Sequence, residues 1–128
     1  MSFLFVDADV IIPHLRGHAP AKRWIKAAID NQTHSLCIGA MQRAEILFFT
    51  FPERIDDTIA LLTRFKTEAV TEEVIDLAGA FYRRFHAEYG TGVNDAILAA
   101  HVVRARGRLA TRNRRHFPMD GLKFQTTW

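Results

Sequence analysis

Four carboxylates stand in this 128-residue chain where solvation alone does not readily explain them. Asp7 follows directly on the apolar run Phe3-Leu4-Phe5-Val6, and Asp9 comes two residues later. Glu45 lies inside Met41-Gln42-Arg43-Ala44-Glu45-Ile46-Leu47-Phe48-Phe49, where its neighbours at helical spacing are Met41, Gln42, Phe48 and Phe49. None of these is basic, so no helical ion pair is available, and a carboxylate on an apolar side is costly unless something compensates it. Asp95 opens a helical pattern after Asn94. There the helix dipole alone favours an acid by roughly 0.3–1 kcal/mol, so its interest comes from its company. Carboxylates gathered at one point repel, and burial raises their pKa. A hard divalent cation relieves both penalties and takes oxygen ligands, which points to Mg²⁺ or Mn²⁺.

Other chemistries find less support. The chain has no HExxH and no paired cysteines, against a zinc site, and only Ser2 and Ser35, against a serine triad. Cys37, in Leu36-Cys37-Ile38, reads as a small buried hydrophobe in a reducing compartment. His14 and His18 are four apart, but Pro13 and Gly17 disfavour a regular helix there, so both read as surface residues. Six arginines cluster late: Arg104, Arg106, Arg108, Arg112, Arg114 and Arg115. Cations are expected at a helix end, yet this run continues into the loop after Thr111, where phosphate contacts become the competing explanation.

The elements that must position these groups follow from the pattern. Residues 3–6 read as a strand buried on both faces, so Asp7 lies just beyond its carboxyl end, where open parallel sheets meet ligands. A short helix or turn over Val10–Leu15 is expected to stop near Pro13 and Gly17, and a helix to run from Pro20 to about Asp30. Next come a strand over His34–Ile38, a helix from Gly39 through Phe49, and another from Pro52 to about Lys66. A brief strand over Thr67–Val70 precedes a helix through His86, with Thr71 as N-cap. Asn94 is expected to cap the helix from Asp95 to about Arg106. Strands over Arg108–Thr111 and Leu122–Thr126 close the chain. Strands alternating with helices imply an α/β fold with a mainly parallel sheet.

Size and composition set the frame. The chain is 48% hydrophobic with a net charge of +3, which implies one compact domain over residues 1–128 and tolerates a polyanionic partner. Asp7 and Asp9 interrupt the N-terminal apolar run, so no signal peptide is evident, and no stretch is long enough to span a bilayer. A cytoplasmic protein with no membrane partner is expected.

In these residues the chain resembles the PIN-domain ribonucleases, and in length and motifs the VapC-type toxins of toxin–antitoxin pairs. The resemblance spans nearly the whole chain. It rests on Val6-Asp7-Ala8-Asp9-Val10-Ile11, Ala44-Glu45-Ile46-Leu47, Asn94-Asp95-Ala96-Ile97-Leu98-Ala99-Ala100 and Leu109-Ala110-Thr111-Arg112-Asn113, with Phe117 and Gly121-Leu122 behind. It implies a three-layer α/β/α domain with four to five strands. Asp7, Glu45 and Asp95 would be the catalytic, metal-binding carboxylates, with Mg²⁺ or Mn²⁺ as cofactor. Asp9, Asn94, Thr111, Asn113 and His116 would be auxiliary, and Arg112, Arg114 and Arg115 would contact RNA. The implied activity is endoribonuclease cleavage by phosphodiester hydrolysis, in a homodimer silenced by a small antitoxin.

Two departures from the pattern matter. His116-Phe117 stands where such chains often have Asp-Phe, which weakens any second metal site. Asp9 replaces the small polar residue usual at its place and would lend a further oxygen ligand or a water contact. The histidine keeps alive a PIN-like module that binds RNA or protein without cutting. The opening motif also resembles that of haloacid-dehalogenase-type phosphatases, with Asp7 as nucleophile and Asp9 as acid–base. That chemistry further needs a lysine and a late pair of acids, and no paired acids stand at the end of the late strand.

Overall fold

A computed structural model describes residues 2–128. Its centre is a sheet of five strands, β1 (Ser2–Val6), β2 (His34–Gly39), β3 (Lys66–Glu68), β4 (Arg108–Ala110) and β5 (Lys123–Phe124), in the order β3-β2-β1-β4-β5. All four pairings are parallel. Six helices cover it: α1 (Ala8–Leu15), α2 (Ala19–Asp30), α3 (Ala40–Phe48), α4 (Ile55–Leu62), α5 (Glu72–Tyr89) and α6 (Val93–Ala105). The expected α/β/α layering is present.

Alternation along β1 explains the three layers. Leu4 and Val6 face one way and pack with Leu36 and Ile38 beneath Ile11 of α1, Ile25 of α2 and Leu62 of α4. Phe5 faces the other way, with Cys37 and Leu109, against Phe85 of α5 and Leu98 and Val102 of α6. A strand buried on both faces is continuously apolar, as Phe3–Val6 is. Gly107 sits where β4 enters the sheet, and a Cβ there would lie 2.8 Å from the Phe3 carbonyl oxygen. That approach is open to glycine alone.

Several boundaries differ from the sequence pattern for identifiable reasons. Helix α1 begins at Ala8, because the Asp7 carboxylate accepts the Ala8 N–H at 2.8 Å and caps it, and it runs through Pro13 to Leu15. Proline in so short a helix forfeits one bond, to the Asp9 carbonyl, and leaves the rest intact. The stretch from Pro52 is a 3₁₀ turn followed by α4, which ends at Leu62, and β3 then starts at Lys66. Helix α5 has Thr71 as its N-cap, accepting from the Val74 N–H, and continues past His86 to Tyr89. Helix α6 is capped by Gly92 rather than Asn94, which lies inside its first turn. Only Lys123 and Phe124 pair as β5. His14 is half-buried, with its Nδ1 unpartnered, whereas His18 is exposed as expected. No helix among the described residues is long and apolar enough to cross a membrane.

Candidate active site

Strand order reverses at β1: the chain steps outward through β2 and β3, then crosses back to β4 on the other side. Ligands of open parallel sheets bind at such a switch point, beyond the carboxyl ends of the strands. Asp7 follows β1 and Thr111 follows β4, and the two meet across that crevice. The Thr111 hydroxyl donates to Asp7 Oδ2 at 2.9 Å. Below them the Asp7 N–H donates to the Ala110 carbonyl, so the backbone ladder continues up to the acid itself.

Asp7 is held by neutral donors, the Ala8 N–H and the Thr111 hydroxyl, and among the described residues no base pairs with it. Burial foremost, then the negative charge of Asp9, pushes its carboxyl up to about 7. The hydrogen bonds from Thr111 and Ala8 oppose this, and Asp95 adds a smaller push upward. Asp9, in the first turn of α1, accepts the Arg112 N–H on both oxygens at 3.2 and 3.1 Å and lies 3.4 Å from the Thr111 hydroxyl. Burial raises its carboxyl as well, against those hydrogen bonds.

Asp95 reaches the same edge from the N-terminus of α6. Its Oδ2 accepts the Gly92 N–H at 2.9 Å, which closes the first turn. The same oxygen lies 3.1 Å from His116 Nδ1, and that nitrogen is also 2.9 Å from Asn113 Nδ2. One ring nitrogen cannot donate to a carboxylate and accept from an amide together. A proton on Nδ1 therefore satisfies Asp95 and requires Asn113 to present its carbonyl oxygen instead. The loop carrying both is anchored by the Asn113 N–H on the Thr111 hydroxyl, at 3.1 Å.

Glu45 stands apart from this knot and joins it through one contact. Asn94 Nδ2 donates to Glu45 Oε1 at 3.1 Å, linking α3 to the first turn of α6. Phe48 and Phe49, expected to make an apolar flank for Glu45, are instead 79% and 68% exposed. Of the arginines, Arg112 lies over the Trp128 ring, Arg114 over the Phe124 ring, and Arg115 is exposed. Asp7, Asp9 and Asp95 thus converge on one sheet edge, and Glu45 is tied to it only through Asn94. Yet no three His, Cys, Asp or Glu side chains among the described residues are already gathered as metal ligands. Oxygens able to serve a hard cation are those of Asp7, Asp9, Asp95 and Glu45.

Two residues here gave no signal in the sequence. Thr91 is fully buried and donates to the His116 carbonyl at 2.9 Å, while its own carbonyl accepts from His86 Nδ1 at 2.8 Å. In Gly90-Thr91-Gly92 it reads as a turn residue. Trp128, distant in sequence, returns to pack beside α1 and Arg112.

The profile of the PIN domain matches residues 4–121. The chain belongs to the PIN-domain family. Ribonuclease VapC10 of Mycobacterium tuberculosis is 32% identical to it over 117 residues, covering 91% of this chain and 86% of that protein. A toxin–antitoxin complex from Klebsiella pneumoniae contains a chain of the same fold, with a TM-score of 0.80 at 20% identity and 98% of each chain covered. VapBC2 from Rickettsia felis, bound to a DNA fragment from its promoter, gives 0.77 at 14% identity, covering 96% of this chain and 97% of that one. Membership in the PIN-domain family removes the phosphatase reading of Asp7 and Asp9.

Proposed function

We propose that this chain is a metal-dependent endoribonuclease and the toxin of a toxin–antitoxin pair. One observation carries the reading: a part-buried carboxylate, Asp7, sits at the switch point beside two more acids with no base among the described residues to neutralise it. The donor set is all hard oxygen, and the repulsion that raises Asp7 is what a Mg²⁺ or Mn²⁺ ion would relieve. Asp7, Asp95 and Glu45 would hold the ion, with Asp9 as a further oxygen. Bound there, the metal would lower the pKa of a water and stabilise charge on the scissile phosphate.

The chain's own residues do the remainder. Thr111 fixes the rotamer of Asp7 across the crevice. Asn94 orients Glu45, and Gly92 with His116 orients Asp95. Arg112, Arg114 and Arg115 line the loop after β4 and would neutralise RNA phosphates. The kinship with Ribonuclease VapC10 supports RNA as substrate, and the folds shared with toxin–antitoxin complexes support a small antitoxin as partner. We further read the chain as a single cytoplasmic domain that pairs as a homodimer. A module that binds RNA or protein without cutting is the second reading. The His116–Asp95 hydrogen bond favours it, since it occupies an oxygen the metal would need.

The test is incubation of the chain, purified free of any partner, with total RNA in Mn²⁺, Mg²⁺ or EDTA, beside an Asp95→Asn variant. Discrete fragments that require metal and vanish in the variant are expected. RNA bound but uncut in every metal, by protein that is folded, would move the assignment to the binding module.

A further inference from the structure

We propose that the cleft beside Asp9 seats a nucleotide flanking the cleaved phosphodiester, and that the Arg112 guanidinium, held over Trp128, is the platform on which its base stacks. This rests on the ribonuclease reading and adds to it a base subsite. The cleft has a volume of about 470 Å³ and is walled by Asp9, Arg16, His18, Arg112 and Trp128 among others. It is a broad, open hollow rather than an enclosed pocket, as a site for part of an extended strand requires. Asp9 belongs both to this cleft and to the acid knot, since it shares the Thr111 hydroxyl with Asp7. A strand whose phosphate lies at Asp7 therefore has this space open to the adjoining nucleotide.

The walls have the chemistry of a base pocket. The Arg112 Cζ lies 4.7 Å from the centroid of the Trp128 ring. Its Nη1 donates to Thr127 Oγ1 at 3.2 Å, and its backbone N–H is fixed on Asp9. An exposed arginine ordinarily loses rotamer freedom on binding; here two side-chain contacts, to Trp128 and Thr127, restrain the guanidinium beforehand. Trp128 is itself anchored. The segment before it is fixed to α2, where the Trp24 indole N–H donates to the Thr126 carbonyl at 2.8 Å. The His18 ring, 5.8 Å from that of Trp128 and inclined by 54°, forms a second wall. Arg16 supplies a cation for the next phosphate. Unpaired RNA bases stack on aromatic rings and on guanidinium planes alike, whatever their identity. Trp128 is thus a positioning residue and Arg112 the contact.

The experiment measures binding, so it does not depend on cleavage. An Asp95→Asn background in EDTA is titrated with a single-stranded RNA oligonucleotide by fluorescence anisotropy. The titration is repeated with one abasic nucleotide moved along the strand. Trp128→Ala, Trp128→Phe and Arg112→Lys are compared, each checked by thermal melting. One abasic position is expected to weaken binding about tenfold. Trp128→Ala and Arg112→Lys should weaken the intact RNA to a similar degree and become indifferent to that position, while Trp128→Phe retains most of the affinity. Because Arg112→Lys keeps the charge and loses the plane, it still decides the matter if Trp128→Ala does not fold. RNA bound with equal abasic penalties in parent and variants would overturn the subsite and leave the nuclease reading standing. Absence of any RNA binding would also overturn the subsite, and the nuclease reading is then decided separately by the cleavage assay in metal.

Discussion

At the scale of single residues, Asp7 carries a cost that the fold tolerates. Burial and Asp9 hold its carboxyl at about 7, well above the unfolded value near 3.9. Between those two pH values the folded state binds the extra proton. Stability of the metal-free protein is therefore expected to fall as pH rises from about 4 to about 7, then to level off. Asp7→Asn removes the charge and with it Asp7's share of the slope. At pH 8 and without metal, the variant should be more stable by on the order of a few kcal/mol in urea denaturation, with the gain gone at pH 4. The same variant should lose metal-dependent cleavage, since it lacks the charged carboxylate proposed to hold the ion. A proton and a cation compete for this carboxylate, so Mn²⁺ affinity measured by calorimetry should climb up to about pH 7 and then flatten. An Asp7→Asn protein no more stable than the parent at pH 8 would mean that a base reaches Asp7 in solution.

At the scale of elements, the site depends on how loops after strands and before helices are tied together. Thr91 clasps the α5–α6 loop to the segment carrying Asn113 and His116, and so sets where His116 meets Asp95. Thr91→Val keeps the shape and strands the His116 carbonyl. A loss of about 1–3 kcal/mol in chemical denaturation is expected, with Thr91→Ser restoring most of it. At the entrance to β4, Gly107→Ala would push a methyl group against the Phe3 carbonyl, and a cost of about 1–3 kcal/mol should show as a lowered melting temperature. These same elements show what a sequence discloses. The apolar run before Asp7 and the acid opening α6 are local patterns, so the strand, the helix and their shared edge were legible. Thr91, Trp128 and the partnership of Asn94 with Glu45 were not, because each depends on a contact between distant segments. The helix start at Ala8 was missed for a different reason. Asp7 serves as cap and as candidate ligand together, and a pattern reader assigns it one role.

At the scale of the whole molecule, the parallel order β3-β2-β1-β4-β5 puts Asp7, Asp9 and Asp95 on one edge, while not all the phenylalanine rings are spent inside. Phe48, Phe49 and Phe51 are 79%, 68% and 63% exposed, within four consecutive residues at the end of α3 and after it. Large apolar side chains grouped on a surface drive association. They contribute little to the fold, because exposed side chains remove little area from water on folding. The two statements separate in one triple variant, with Phe48→Ser, Phe49→Ser and Phe51→Ser combined. Each change is expected to alter folding stability by no more than about 0.5 kcal/mol, as for other surface positions. Light scattering from the partner-free protein should fall markedly at the same concentration. A variant that scatters as the parent does would show that this cluster does not cause association. One that unfolds would show that the three rings are packed in solution, against a neighbouring copy of the chain or against their own helix.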